Sequence, residues 1–213
     1  SVGMKIHPFM VFSLSSSGLD GKLTVCLRFF TDLTRSFSLF SAASQDHDNE
    51  ILLSQNPNSF KRCVGGDCAV FPLPIFLERS PFHWESVCTT WDSASGMVHL
   101  WLDGEALAEE RGNEGYEVKA DLVVMLGQDQ DSDGGILNVK QSLVGEIAEV
   151  YFWDKVLPSV ELNNFQAPMT PRPLLDWTSL KFEIRGYVLT APVRSRLSRR
   201  RRRDLLEKFS WQA

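Results

Sequence analysis

Seven short runs in which apolar and polar residues alternate constrain this chain more than any other feature. They are Val25–Phe30, Phe37–Phe40, Glu50–Leu53, Ser86–Trp91, Met97–Leu102, Leu122–Leu126 and Ile147–Trp153. Each is four to seven residues long, rich in Val, Leu, Phe and Trp, and bounded by Gly, Pro, Asp or Ser. A period of two over so few residues is the pattern of a half-buried strand, and a helix needs a longer stripe. Many such strands within 213 residues predict an all-β chain, folded as a two-sheet antiparallel sandwich around one core. One helix is expected, from Pro158 to Phe165, because Pro158 and Ser159 stand where a helix starts. Trp91, Trp101 and Trp153 read as core aromatics. No apolar run approaches the roughly 20 residues of a membrane-spanning helix, so none is expected. Ser1 opens the chain without a signal-peptide pattern, which fits a processed protein.

Two of the four cysteines, Cys26 and Cys88, lie inside apolar strands. Cys63 and Cys68 flank Val64–Asp67, whose Gly65-Gly66 centre reads as a hairpin turn. The natural pairing is Cys26 with Cys88 and Cys63 with Cys68, the first closing a loop of about 60 residues for roughly 4 kcal/mol in the chain-entropy picture. Buried free thiols are the alternative for the strand pair. Bridges point to an oxidising, extracellular setting.

Charge divides the chain in two. Residues 194–213 hold eight of its 22 Lys and Arg but only two of its 27 Asp and Glu, a net of +6 against −11 for the remainder. The run Arg199–Arg203 repels itself, so 1–193 reads as the folded domain and 194–213 as a disordered basic tail. No aromatics interleave with these arginines, and nucleic acid is not an expected partner.

The segment from Leu126 to Glu146 concentrates side-chain oxygens from Asp129, Asp131, Asp133, Asn138 and Gln141 around Gly134-Gly135. Calcium takes about six to eight oxygen ligands and needs backbone that can curl around it. Counted from Asp129, the spacing departs from an EF-hand, because the twelfth residue is Lys140 where a bidentate Glu is required. Composition alone is compatible with a calcium cage and with a solvated acidic turn.

Further motifs carry a resemblance. Cys88–Ser93, reading Cys-Thr-Thr-Trp-Asp-Ser, is similar to the short signature of the pentraxins, with Ser86 where the signature has histidine. Trp101–Gly104, Leu126–Gly135, Gln141–Glu146, Trp153-Asp154 and Asp176-Trp177 follow in the order of that family, and the similarity runs from about Phe9 to Val193. The resemblance implies a jelly roll with its helix on one face and two calcium ions on the other, and a bond between Cys26 and Cys88. Asp48, Asn49, the Asp129 carboxylate, the Gln130 main-chain carbonyl and Asp131 would hold the first ion. Asp129 and Asp131 would bridge to the second, joined by Gln141 and by Asn138. Asp129 stands where relatives have Glu and Asn138 where they have an acid, so the second site is expected to be weaker. In the ligand pocket Ser54 replaces an aromatic residue, and the glutamate that meets choline in the family falls near Cys68. Phosphocholine selectivity therefore does not follow, whereas a phosphate or other anion bridged by calcium does. The family's first edge strand would precede Phe9, so either Val2–Ile6 partly replaces it or a neighbouring sheet edge is left exposed.

These implications predict a secreted, calcium-dependent recognition protein of innate immunity. It would be a homo-oligomer, pentameric by family resemblance, binding anionic or phosphorylated surface ligands, with a complement component as a candidate partner. A calcium-independent adhesion module of a larger extracellular protein is the alternative. An enzyme is not expected: alternation puts Glu146 and Glu149 on opposite strand faces, and His83 and His99 stand alone.

Overall fold

The computed structural model describes residues 9–14, 19, 21–74, 83–130, 139–163, 165, 172–185 and 189–190. In chain order the strands are β1 (Phe9–Leu14), β2 (Lys22–Phe30), β3 (Phe37–Ala43), β4 (Ile51–Asn56), β5 (Ser59–Val64), β6 (Asp67–Pro72) and β7 (Glu85–Asp92). They continue as β8 (Met97–Leu102), β9 (Glu105–Ala106), β10 (Glu110–Arg111), β11 (Leu122–Leu126), β12 (Glu146–Trp153), β13 (Leu175–Asp176) and β14 (Glu183–Arg185). A 3-10 turn covers Val139–Gln141, and one helix, α1, covers Ser159–Asn163.

Two antiparallel sheets result. The first runs β14-β1-β11-β3-β4-β5-β6 and the second β10-β8-β7-β2-β12-β13, with β9 pairing β8. All seven periodic runs fall on strands, except that Glu50 precedes β4 and belongs to the loop before it. Their inward residues interleave aromatic rings between the layers: Phe29 of β2 packs against Phe37 and Phe60 of the other sheet, and Phe40 stacks on Phe152 at 6.4 Å. Burial of such rings, each contributing about 1.5–3 kcal/mol by transfer from water, drives the two sheets together.

Both bridges are present, Cys26–Cys88 and Cys63–Cys68. The first joins directly opposed residues of β2 and β7 on the outer face of the second sheet. Around it gather Trp101, Tyr151, Trp153, Leu157, Leu162 and Phe165, so α1 is seated on this bridge and its aromatic surround. The helix is shorter than the expected Pro158–Phe165. Only Leu162 within it is buried, and Pro158 contributes its carbonyl to Glu161 and Leu162 from outside the first turn. The second bridge spans the β5–β6 hairpin, whose Gly65 and Gly66 have φ of 52° and 81°, the sign a two-residue turn of this hand needs at both positions.

One expectation about faces is corrected. The pairing of β12 with β2 shifts register between Ala148 and Tyr151, and Glu149 takes φ 54°. The extra residue resets the alternation, so that Ile147 and Val150 both join the main core. Glu149 thus lies on the outer face with Glu146, where Arg28 holds it at 3.2 Å. In the first sheet β1 lies between β11 and the terminal strand β14, with Met10 opposite Leu126 on one side and Ile184 on the other. Val2–Ile6 and the tail 194–213 lie outside the described residues.

Candidate functional site

Phe40 and Ala42 of β3 point into the core, so Ser41 between them faces outward. It is nevertheless fully buried. The cover is the segment that follows β11. Gly127, at φ 77°, donates its N–H to the Leu39 carbonyl and reverses the chain. The Ser41 hydroxyl then donates to the Gln128 carbonyl at 2.8 Å. The Gln130 side-chain amide donates to Val123 O at 2.9 Å and reaches Ser41 Oγ at 3.2 Å. Because β11 is antiparallel to β3, with Leu126 beside Phe40 and Val123 beside Ala43, this reversal carries residues 128–130 back along the sheet. They arrive at the end where the β3–β4 loop emerges, and that loop carries Asp48 and Asn49.

The β3–β4 loop is built around Glu50, whose carboxylate is fully buried. Its oxygens accept from the Ser44 hydroxyl at 2.8 Å and from the Tyr116 hydroxyl at 2.9 Å. Ser44 Oγ in turn accepts the N–H groups of Asp46 and His47. From the far side, the hairpin amides of Gly65 and Gly66 donate to the carbonyls of Glu50 and Asn49. Asp48 is exposed, and Asn49 is half-buried at the rim.

Gln141 ends the 3-10 turn that leads back to the Gly127 reversal. Its 3-10 turn is tied down by Arg35, which donates to the Lys140 carbonyl at 2.9 Å, and Leu143 donates to the Gly127 carbonyl at 2.8 Å. The segment after β11 thus lies on the outer face of the first sheet, at the end from which the β3–β4 loop emerges, and the 3-10 turn is tied to it through Leu143, while α1 occupies the outer face of the second. Asp131 and Asn138, also expected here, lie outside the described residues.

Asn49 Oδ1 and Gln141 Oε1 are, with Gln128 Oε1 among others, buried side-chain oxygens that have no hydrogen-bond donor. A buried acceptor left so costs about 1–3 kcal/mol, and an orphaned pair of amide oxygens is unusual in a folded protein. A hard cation takes such oxygens as ligands, so the residues present fit calcium. Asp129, only 6 % exposed, would add a carboxylate. Among the described residues no three His, Cys, Asp or Glu side chains lie together as a metal cluster. The candidate set leans instead on amide and main-chain oxygens.

Ser54 sits on the same outer face two residues beyond Leu52 but is only 8 % exposed, and it offers little surface to a ligand. Sequence reasoning missed Ser41, Glu50 and Tyr116, which place the loops. Glu50 alone left a signal, a charge opening an otherwise apolar run.

A family model described as the Pentaxin family matches residues 13–192. This chain belongs to the pentraxin family. It is 41% identical to human C-reactive protein over 174 residues, covering 79% of this chain and 75% of that protein. To human serum amyloid P-component it is 39% identical over 171 residues, covering 80% and 75%. Among solved structures, a native heptameric SAP-like pentraxin from Limulus polyphemus superimposes with a TM-score of 0.76 at 23% identity, covering 85% of this chain and 87% of that one. The pentraxin jelly roll is thereby shared.

Tyr116 reports on the loop. Burial, followed by the hydrogen bond to Glu50 and the charges of Glu50 and Asp46, pushes its pKa up from 10.0 to about 12. Tyr151 is also raised to about 12, by burial and then by Asp176 and Glu149. A phenol with a raised folded pKa adds stability that is complete below its unfolded value and lost as pH climbs through the folded one. Stability should therefore hold to about pH 10 and fall between about 10 and 12. Absorbance-monitored titration should show both phenols ionising late, one of them vanishing in Tyr116→Phe; ordinary ionisation near 10 would contradict the Glu50 contact.

Proposed function

We propose that this pentraxin is a secreted, calcium-dependent recognition protein that binds phosphate-bearing or other anionic groups on microbial or damaged-cell surfaces. Among its observations the orphaned amide oxygens Asn49 Oδ1 and Gln141 Oε1, on two separate segments, carry the reading. Asp48, Asn49, Asp129, the Gln130 carbonyl and Asp131 would hold the first ion, and Asp129, Asp131, Asn138 and Gln141 the second. Bound there, calcium would offer open coordination positions to a phosphate or carboxylate oxygen.

The protein's own contribution is placement. Gln130 spends its side-chain amide on the sheet. Glu50 fixes the loop without facing the ligand. The two disulfides suit an extracellular setting. Weak sites repeated on one face of a ring would act together through effective concentration, and the Limulus relative is itself heptameric. This is a binding role and not an enzymatic one. Glu149, the carboxylate nearest to Glu146 on its strand, is engaged by Arg28.

The test is retention of the full chain on an immobilised phosphate monoester. Retention in calcium, release by a chelator and loss in magnesium alone are expected. Retention indifferent to calcium would overturn the proposal.

A further inference from the structure

The outer face of the first sheet beside these loops can be read row by row. Strand register puts Ser41, Leu52, Cys63 and Cys68 in one row and Ser54, Lys61 and Val70 in the next. These residues face outward because their neighbours Leu53, Phe60, Val64, Ala69 and Phe71 all join the core. Ser54 is almost buried, and Val70 is 47% exposed. Lys61 is half-exposed and has no ion-pair partner among the described residues.

With strands about 4.8 Å apart and residues rising about 3.4 Å, the Lys61 Cα lies about 12 Å from that of Ser41, over which Gln130 is folded. A lysine side chain covers about half that distance. Arg35, bonded to the Lys140 carbonyl, adds a second positive charge beside the same loops. Among the described residues, Glu50 is committed to Ser44 and Tyr116, and Asp67 to the Asn113 amide. Asp48 and Asp129 belong to the candidate ion site.

We infer that Lys61 is a specificity-determining residue, selecting ligands whose cation-bound anionic group carries a second negative charge nearby and disfavouring those with a quaternary ammonium there. The inference rests on the calcium reading of the loops. The ligand class is a small phosphate ester bearing a carboxylate or a further phosphate. A lysine ammonium repels a like charge and attracts an opposite one at a partly exposed site, strongly enough to shift relative affinity by about tenfold.

The experiment is calorimetry on the full chain in three stages: calcium alone, then 2-phosphoglycolate, then phosphocholine, for the native protein, Lys61→Gln and Lys61→Glu. The native protein should bind phosphoglycolate about tenfold more tightly than phosphocholine, Lys61→Gln should bring the two within about threefold, and Lys61→Glu should reverse the order. Vesicles containing phosphatidic acid, competed by phosphoglycolate, separate a lipid source from a soluble one: capture assigns the headgroup, and soluble binding alone assigns the free ester. Native preference for phosphocholine, or an unchanged ratio in Lys61→Glu with calcium binding intact, would overturn the role of Lys61. Failure of all three proteins to bind calcium would overturn the loop reading itself, and this inference with it.

Discussion

Replacing Cys26 and Cys88 together by alanine is expected to lower the unfolding free energy by about 4 kcal/mol in the chain-entropy picture. Their bridge closes a sequence separation of 62, and both residues are buried between the central strands β2 and β7. Part of the loss arises in the unfolded chain, which gains freedom. Part arises in the fold, because Trp101, Tyr151, Trp153 and α1 are packed around this bridge. Cys63 and Cys68 are separated by only 5, so the same treatment of that pair should cost about 2 kcal/mol. Denaturant unfolding of the two double variants, compared at equal m-value, measures both. Equal losses would show that loop closure is not what the larger bridge contributes.

The second large effect is expected from Glu50→Ala. The substitution strips acceptors from the Ser44 and Tyr116 hydroxyls, and each buried polar group left without a partner costs about 1–3 kcal/mol. Its consequence for calcium should exceed its consequence for stability. Glu50 is a positioning residue: it fixes the loop carrying Asp48 and Asn49 but contributes no proposed ligand. Loss of such outer contacts typically lowers metal affinity about 10–100-fold. Glu50→Gln, which keeps one acceptor and the volume, should recover part of that loss. Calcium titration beside denaturant unfolding separates the roles, because a purely structural residue would lower stability and leave the affinity of the folded fraction unchanged.

Much of this was legible in the residues. Met97–Leu102 and Leu122–Leu126 coincide with β8 and β11, because a two-residue period in a half-buried strand directly records which side meets the core. β9, β10 and β13 were not legible: two residues each are too few to show a period, and their pairing is imposed by neighbours. Glu149 was assigned the wrong face because a bulge adds one residue to the count and leaves no mark in composition. The candidate site divides the same way. The loop after β11 was visible as a cluster of Asp, Asn and Gln, whereas Asp48 and Asn49 came only from the family resemblance. Ser41, Tyr116 and the Gly127 reversal were not, since their roles come from contacts between segments far apart in the chain. Ser54 was assigned to the ligand pocket by resemblance alone; register puts it on the outer face, but its burial shifts attention to Lys61 beside it.

The measurement that bears most directly on the central claim is a calorimetric calcium titration of the full chain alongside Asn49→Ala. That variant keeps the main-chain carbonyl that accepts from Gly66 and removes the side-chain carboxamide with its orphaned oxygen. Saturable calcium binding by the native protein, weakened at least about tenfold in a variant that unfolds at the same denaturant concentration, is the expected result. Absence of binding by the native chain, or equal binding by both proteins, would contradict the assignment of these loops to calcium.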